Sequence, residues 1–207
     1  MEALVEKVNS VKRTAISKLV DQRSEEFEAV FADDYKVFSE LCFCLTTANS
    51  SAEMGIKVQN ALSGRLEKLT RKELSAELRR LGYRFYNKRA EYIDEAKQWR
   101  AIKGKIKEFQ SEIELREWLV ENILGFGYKE ASHFLRNIGF KELAILDRHV
   151  IRTMHEHGMI KELPKTLNRK RYLEYEGKLK ELGEKTNLDQ SKLDLYLWYM
   201  KTGKVLK

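Results

Sequence analysis

An all-α, two-lobed helical bundle is the fold this sequence predicts, and three observations carry it. The 207-residue chain has a single proline, Pro164, and hardly any sustained alternation of apolar and polar residues, so strands have little to build on. Apolar residues recur instead at helical spacing: Val8, Val11, Ala15, Ile16 and Leu19, then Phe27, Val30 and Phe31, then Tyr35, Phe38, Leu41, Cys42 and Leu45. Hydrophobic residues make up 43% of the chain, enough to fill one large domain or two small lobes.

The elements follow in order. Asp33 and Asp34 provide an N-cap and a favourable negative charge for the helix carrying Tyr35 to Leu45. Residues 46–51, all small or polar, break the pattern before Met54, Val58 and Leu62 resume it. Residues 60–64 and Gly82 mark turns, and Thr70 with Glu73 reads as a capping box. Tyr92, Ile93, Ala96 and Trp99 line one helical face. Residues 117–124 lead into Gly125-Phe126-Gly127, and residues 129–137 lead out to a closing Gly139. Asp147 caps a helix through Met154 that Gly158 ends; a basic stretch at 161–180 follows, and residues 188–200 form a last, aromatic-rich helix. No internal repeat or flexible linker interrupts this pattern. The expected lobes are 1–32 with 147–207, and 33–146, with a helix–hairpin–helix at about 117–137 placed at the lobe junction.

Composition narrows the partners. A formal net charge of +7 and a pI of about 9.2 favour a polyanion, although a solvated basic surface has the same composition. Residues 84–107 concentrate the charge, with eight basic and three acidic side chains, a net of +5. The two cysteines, Cys42 and Cys44, can supply neither a disulfide framework nor a four-thiolate cluster, and read as buried, reduced thiols of an intracellular protein. No apolar run approaches the roughly 18 residues of a membrane span, and the charged N-terminus lacks a signal-peptide core.

The chemistry points to the glycine hairpin. Two glycines around one apolar residue describe a tight turn whose bare amides face outward, and amides at a helix N-terminus bind phosphate. With the positive φ and close approach that Gly125 and Gly127 permit, amides near Gly125, Gly127 and Lys129 can hold one DNA phosphate, a contact that reads no base. Taken alone, such a sequence is also an ordinary turn. Lys129 lies in the first turn of a helix, where the macrodipole opposes a cation and partial burial favours the neutral amine. A neutral amine can attack an electrophilic sugar carbon and form an imine; the bland reading is a phosphate-steering lysine. Asp147, 18 positions on, is either a plain N-cap or a carboxylate that stabilises developing positive charge, or orients the amine or a water. His149 contacts phosphate or packs, and Arg148 and Arg152 are backbone contacts or solvated charges.

Residues 124–135, followed by Leu146-Asp147-Arg148-His149-Val150-Ile151-Arg152, resemble the helix–hairpin–helix DNA glycosylase superfamily, with its lysine in the hairpin and its aspartate before a His-Val pair. Two further segments agree. Leu45-Thr46-Thr47-Ala48-Asn49-Ser50-Ser51-Ala52 resembles the polar stretch that fills the gap left by a flipped base, and Leu81-Gly82-Tyr83-Arg84-Phe85-Tyr86-Asn87-Lys88-Arg89-Ala90 resembles the family's Gly-Tyr…Lys-Ala helix start. The short chain and its ending, Trp198…Thr202-Gly203-Lys204-Val205-Leu206-Lys207, are similar to the type-2, archaeal-style 8-oxoguanine DNA glycosylase/lyases.

The resemblance implies a base-excision repair enzyme that binds duplex DNA as a monomer, flips out oxidised guanine and cuts its glycosidic bond. It implies that Lys129 attacks C1′ with help from Asp147, and that the imine permits β-elimination of the 3′ phosphate. Lys207 would distinguish 8-oxoguanine from guanine, Trp198 would stack on the base, and Ala48 or Asn49, with Asn49 preferred for its amide, would fill the void. The iron–sulfur cysteines of endonuclease III-like relatives are absent, so neither a cluster nor any other cofactor is expected, and too few residues precede position 35 for the N-terminal β-domain of the eukaryotic enzymes. The same fold acting on oxidised pyrimidines, and a non-catalytic DNA grip, are the competing readings. The location implied is the cytoplasm, at the nucleoid.

Overall fold

A computed structural model describes residues 1–207. It is all-helical: α1 (Glu2–Lys12), α2 (Ile16–Val30), α3 (Asp34–Thr47), α4 (Ala52–Ala61), α5 (Arg71–Arg80), α6 (Tyr86–Ala96), a 3-10 turn (Lys97–Trp99), α7 (Ile102–Ile106), α8 (Glu112–Asn122), α9 (Tyr128–Asn137), α10 (Arg148–Glu156), α11 (Arg169–Thr186) and α12 (Gln190–Thr202). The chain forms two compact units, Met1–Ala29 with Leu135–Lys207, and Val30–Phe134.

The Val30–Phe134 unit is built around α3. Asp33 caps this helix by accepting the Lys36 amide at 3.0 Å. Every residue from Val37 to Thr47 is buried, the pattern of a helix enclosed on all sides, and α4, α6 and α7 pack against it. Cys42 and Cys44 are buried and unbridged, and burial, with a smaller push from Glu67, raises the Cys42 thiol far above its ordinary value. The break expected at residue 46 comes later. The Thr46 and Thr47 hydroxyls donate back to the carbonyls of Phe43 (2.9 Å) and Cys44 (3.1 Å), so both fit inside the helix. Thr70 and Glu73 do form a reciprocal capping box at α5.

In the other unit, α1, α10, α11 and α12 pack together. The basic stretch at 161–180 hides most of α11. Asn168 caps it by accepting the Arg171 amide at 2.9 Å, and its Tyr172, Tyr175, Leu179, Leu182 and Thr186 are buried at three- and four-residue spacing. These apolar positions are outnumbered by the charges between them, which masks the period in the sequence. Arg136 is also buried, 3.5 Å from Asp194 and with its guanidinium 4.6 Å from the centre of the Phe27 ring.

The non-helical segment that delivers Asp147 is pinned from α11 and α12. The Tyr172 hydroxyl donates to Ala144 O at 2.8 Å and accepts from Leu146 N at 3.3 Å. Glu176 Oε1 accepts the Ala144 amide at 3.0 Å, and the Gln190 amide donates to Lys141 O at 2.9 Å. Tyr172→Phe keeps the ring and strips the Leu146 amide and the Ala144 carbonyl of this partner. It is expected to lower stability by about 1–3 kcal/mol, the cost of leaving buried backbone groups short of a bond, measured by urea denaturation; an unchanged midpoint would show that the hydroxyl does not hold the segment.

Candidate active site

Gly125 is a backbone requirement. Its φ is +94°, and a Cβ there would sit 2.5 Å from the Tyr92 ring, so conformation and close approach both demand glycine. Gly127 has a different reason for being small. It precedes α9 as the cap residue, its carbonyl accepting from the Ala131 amide at 2.9 Å, and its own amide donates to Glu130 Oε2 at 3.3 Å. The amide is therefore not bare, as the glycine spacing suggests, because the glutamate three residues on folds back to satisfy it.

Lys129 projects from the first turn of α9, its side chain 26% exposed and its Nζ 3.5 Å from Glu130 Oε1. The helix is held against α8 by side chains from one face. Arg116, fully buried, donates from Nη1 to Ser132 Oγ at 3.3 Å and lies over the Tyr128 ring, whose hydroxyl donates to Glu117. One helical turn beyond Lys129, His133 is buried edge-on to Phe43, with centroids 5.7 Å apart. The rotation of α9, and hence the direction of Lys129, is fixed by this packing.

Beside the hairpin, Ala48, Asn49, Phe85, Lys88, Arg89, Tyr92, Gly125 and Glu130 surround a cavity of about 360 Å³. Asn49 follows the end of α3 with φ +58°, a conformation asparagine tolerates better than most residues. The preceding carbonyls are clamped: the Tyr83 hydroxyl donates to Thr46 O, and Arg89 Nη2 donates to Ala48 O at 2.6 Å. A cation at a helix C-terminus is favoured by the macrodipole as well as by the hydrogen bond. Ala48 is buried and Asn49 exposed, so only Asn49 presents a side chain to a partner.

Asp147 caps α10, its Oδ1 accepting from the amides of His149 and Val150, both at 2.8 Å. His149 packs edge-on to Trp198 of α12, with centroids 5.0 Å apart and planes at 84°. The Trp198 Nε1 is buried without a hydrogen-bond partner, an uncommon state for an indole N–H. The helix ends at Gly203, φ +71°, and Lys207 lies half-buried in the tail that follows.

The basic stretch at 84–107 is not one open patch. Lys88 pairs with Glu91, which holds its ammonium above the ordinary lysine range, and Lys97 pairs with Asp94. Lys103 donates to Ala32 O, Lys105 pairs with Glu108, and Arg89 is buried in the clamp just described. Arg84 is exposed, with its guanidinium 4.4 Å from the centre of the Phe85 ring. The residues missed from the sequence are Glu130, Arg89 and Tyr92. Glu130 had a signal, the spacing of a capping box after Gly127; Arg89 and Tyr92 had none, since both act across 33 or more residues.

Comparison with known proteins bears on this arrangement. The family model described as 8-oxoguanine DNA glycosylase matches residues 20–188. The 8-oxoguanine DNA glycosylase/AP lyase of Methanocaldococcus jannaschii is 48% identical over 205 residues, covering 99% of each chain. Its counterpart from Thermotoga maritima is 44% identical over 215 residues, covering 100% of both. The crystal structure of the Methanocaldococcus jannaschii enzyme with a 15mer DNA containing 8-oxoguanine gives a TM-score of 0.96 at 47% identity, covering 99% of this chain and 100% of that one.

The two hairpin glycines should respond differently to alanine. Gly125→Ala meets both the positive φ and the Tyr92 ring and is expected to cost at least about 2 kcal/mol. In Gly127→Ala the new Cβ meets only the end of the Glu130 side chain, at 3.3 Å, and the cost should be about 1 kcal/mol or less. Chemical denaturation of both variants checks the order; equal losses would remove the argument for Gly125.

Proposed function

The chain belongs to the 8-oxoguanine DNA glycosylase family, and on that footing we propose that it is a bifunctional DNA glycosylase and abasic-site lyase of base-excision repair. It takes duplex DNA carrying 8-oxoguanine, extrudes the damaged nucleotide, releases the base and cleaves the strand by β-elimination. The observation that carries this reading is the lysine at the head of α9, directly after the glycine hairpin, in a chain matched end to end by glycosylase/lyases.

Lys129 is the nucleophile. Its amine attacks C1′ as the glycosidic bond breaks toward the base; nitrogen then loses a proton and the sugar ring opens at the C1′–O4′ bond, whose pair goes to O4′, and the resulting imine acidifies the C2′ proton so that the 3′ phosphate can leave. Asp147 stands as a fixed negative charge that stabilises the cationic sugar of the transition state. The hairpin at Gly125 and the positive end of α10 near His149 grip phosphates without reading sequence. Asn49 enters the space the base vacates. Trp198 stacks on the extruded base, and Lys207 reads the difference between 8-oxoguanine and guanine. No helix is long and apolar enough to cross a membrane, and a DNA substrate places the enzyme at the nucleoid.

Borohydride trapping tests the reading. On a duplex with one 8-oxoguanine opposite cytosine, the wild-type protein should form a covalent adduct that Lys129→Gln does not, while the variant still binds. Adduct on a thymine-glycol duplex alone would move the substrate to oxidised pyrimidines, and adduct on neither would reduce the protein to a DNA grip. Asp147→Asn should slow base release sharply yet change stability by only about 1 kcal/mol or less, because asparagine also caps. Normal release by that variant would leave Asp147 a structural cap.

A further inference from the structure

An amine nucleophile attacks only with its lone pair free, so the ammonium of Lys129 must lose a proton before C1′ can be reached. We propose that Glu130 takes that proton. The inference rests on the lyase reading above and adds a residue to it. Glu130 Oε1 lies 3.5 Å from Lys129 Nζ, and the two side chains are only 18% and 26% exposed. Its other oxygen, Oε2, accepts the Gly127 amide at 3.3 Å, so the carboxylate is anchored at one end and turned to the ammonium at the other. Catalytic contacts of this kind are commonly long before substrate binds and close in the complex.

The surroundings suit the role. Glu130 lines the cavity shared with Asn49 and Gly125, and the titratable groups facing it from α6 are Lys88, Arg89 and Tyr92, two cations and a phenol. Asp147 is placed for other work, because its Oδ1 is already occupied by two amides of α10.

The step balances simply. An N–H bond of the Lys129 ammonium breaks with its electron pair staying on Nζ, and an O–H bond forms at Glu130 Oε1. The freed pair then makes the N–C1′ bond as the glycosidic bond breaks, that bond's pair leaving with the base, which is protonated by solvent. Glu130 gives up its proton to solvent before the next turnover.

Glu130→Gln separates proton transfer from capping, since glutamine can still accept the Gly127 amide. Single-turnover base release from an 8-oxoguanine–cytosine duplex would be followed from pH 6 to 10 with the full-length wild type and variant. The variant should be about a hundredfold slower at pH 7, with the deficit closing toward pH 10 as hydroxide removes the proton, and with unchanged affinity for a duplex carrying a tetrahydrofuran abasic analogue. Release at pH 7 as fast as the wild type, or faster, would overturn the assignment. A faster variant is what a mere charge partner predicts, because losing the carboxylate frees the amine. A loss uniform across the pH range would also overturn it, as the mark of a structural role. Should Glu130→Gln fail to fold, Glu130→Ala with and without added formate decides: formate must restore rate in proportion to its concentration, and no rescue refutes the role. Wild type that leaves 8-oxoguanine in place would instead overturn the underlying lyase reading.

Discussion

Helix ends that must find partners for their orphan amides and carbonyls set the terms for everything else in this protein. Four N–H groups and four C=O groups at the ends of every helix have no partner within it, and the candidate site residues lie at such ends. Lys129 and Glu130 stand in the first turn of α9, Asp147 caps α10, Asn49 follows α3, and the tail bearing Lys207 follows α12. A helix start gathers positive potential, which suits a reaction on a phosphodiester.

The same requirement makes these ends rigid. The last carbonyls of α3 are held by Tyr83 and Arg89, so Asn49 leaves the helix from a fixed point despite its positive φ. Arg89 is buried with its Nε unpartnered, held by its bond to Ala48 O and by the Tyr92 ring, whose centre is 5.3 Å from the guanidinium. Around Asp147 the arrangement is similar in kind. Tyr172 and Glu176 hold the incoming segment by its backbone, so a non-helical stretch is as constrained as the helices beside it.

Two carboxylates, Asp147 in one unit and Glu130 in the other, are thereby given different environments. Asp147 has an oxygen fixed by backbone amides, whereas Glu130 divides its oxygens between an amide and an ammonium. The distinction arises from position within the helix start: a cap residue turns its side chain along the first amides, and a residue three further on reaches back past the lysine. Net charge says little about either. Most cations of residues 84–107 are matched by neighbouring acids or carbonyls, so the +7 of the whole chain is a poor guide to where an anion is held.

What was readable in the linear chain was what depends on near neighbours. Helical class, the caps at Asp33, Thr70 and Asp147 and the hairpin at Gly125 all rest on spacings of a few residues or on quoted motifs. The capping spacing from Gly127 to Glu130 was equally local and was overlooked beside the louder Lys129. Misjudged extents had local causes too: Thr46 and Thr47 look like helix breakers until their hydroxyls bond back to the preceding turn, and the charges of α11 conceal its buried face. By itself, then, the sequence determined an all-helical protein with a lysine at a glycine hairpin and a capping aspartate. Only the tertiary structure decided that Arg89 and Tyr83 close α3, that Tyr92 forbids a side chain at Gly125, that His149 meets Trp198 and that Tyr172 holds the road to Asp147. Each of these contacts joins residues 26 or more positions apart, and such pairs are brought together by the packing of helices, a property of the fold that no short run of sequence contains.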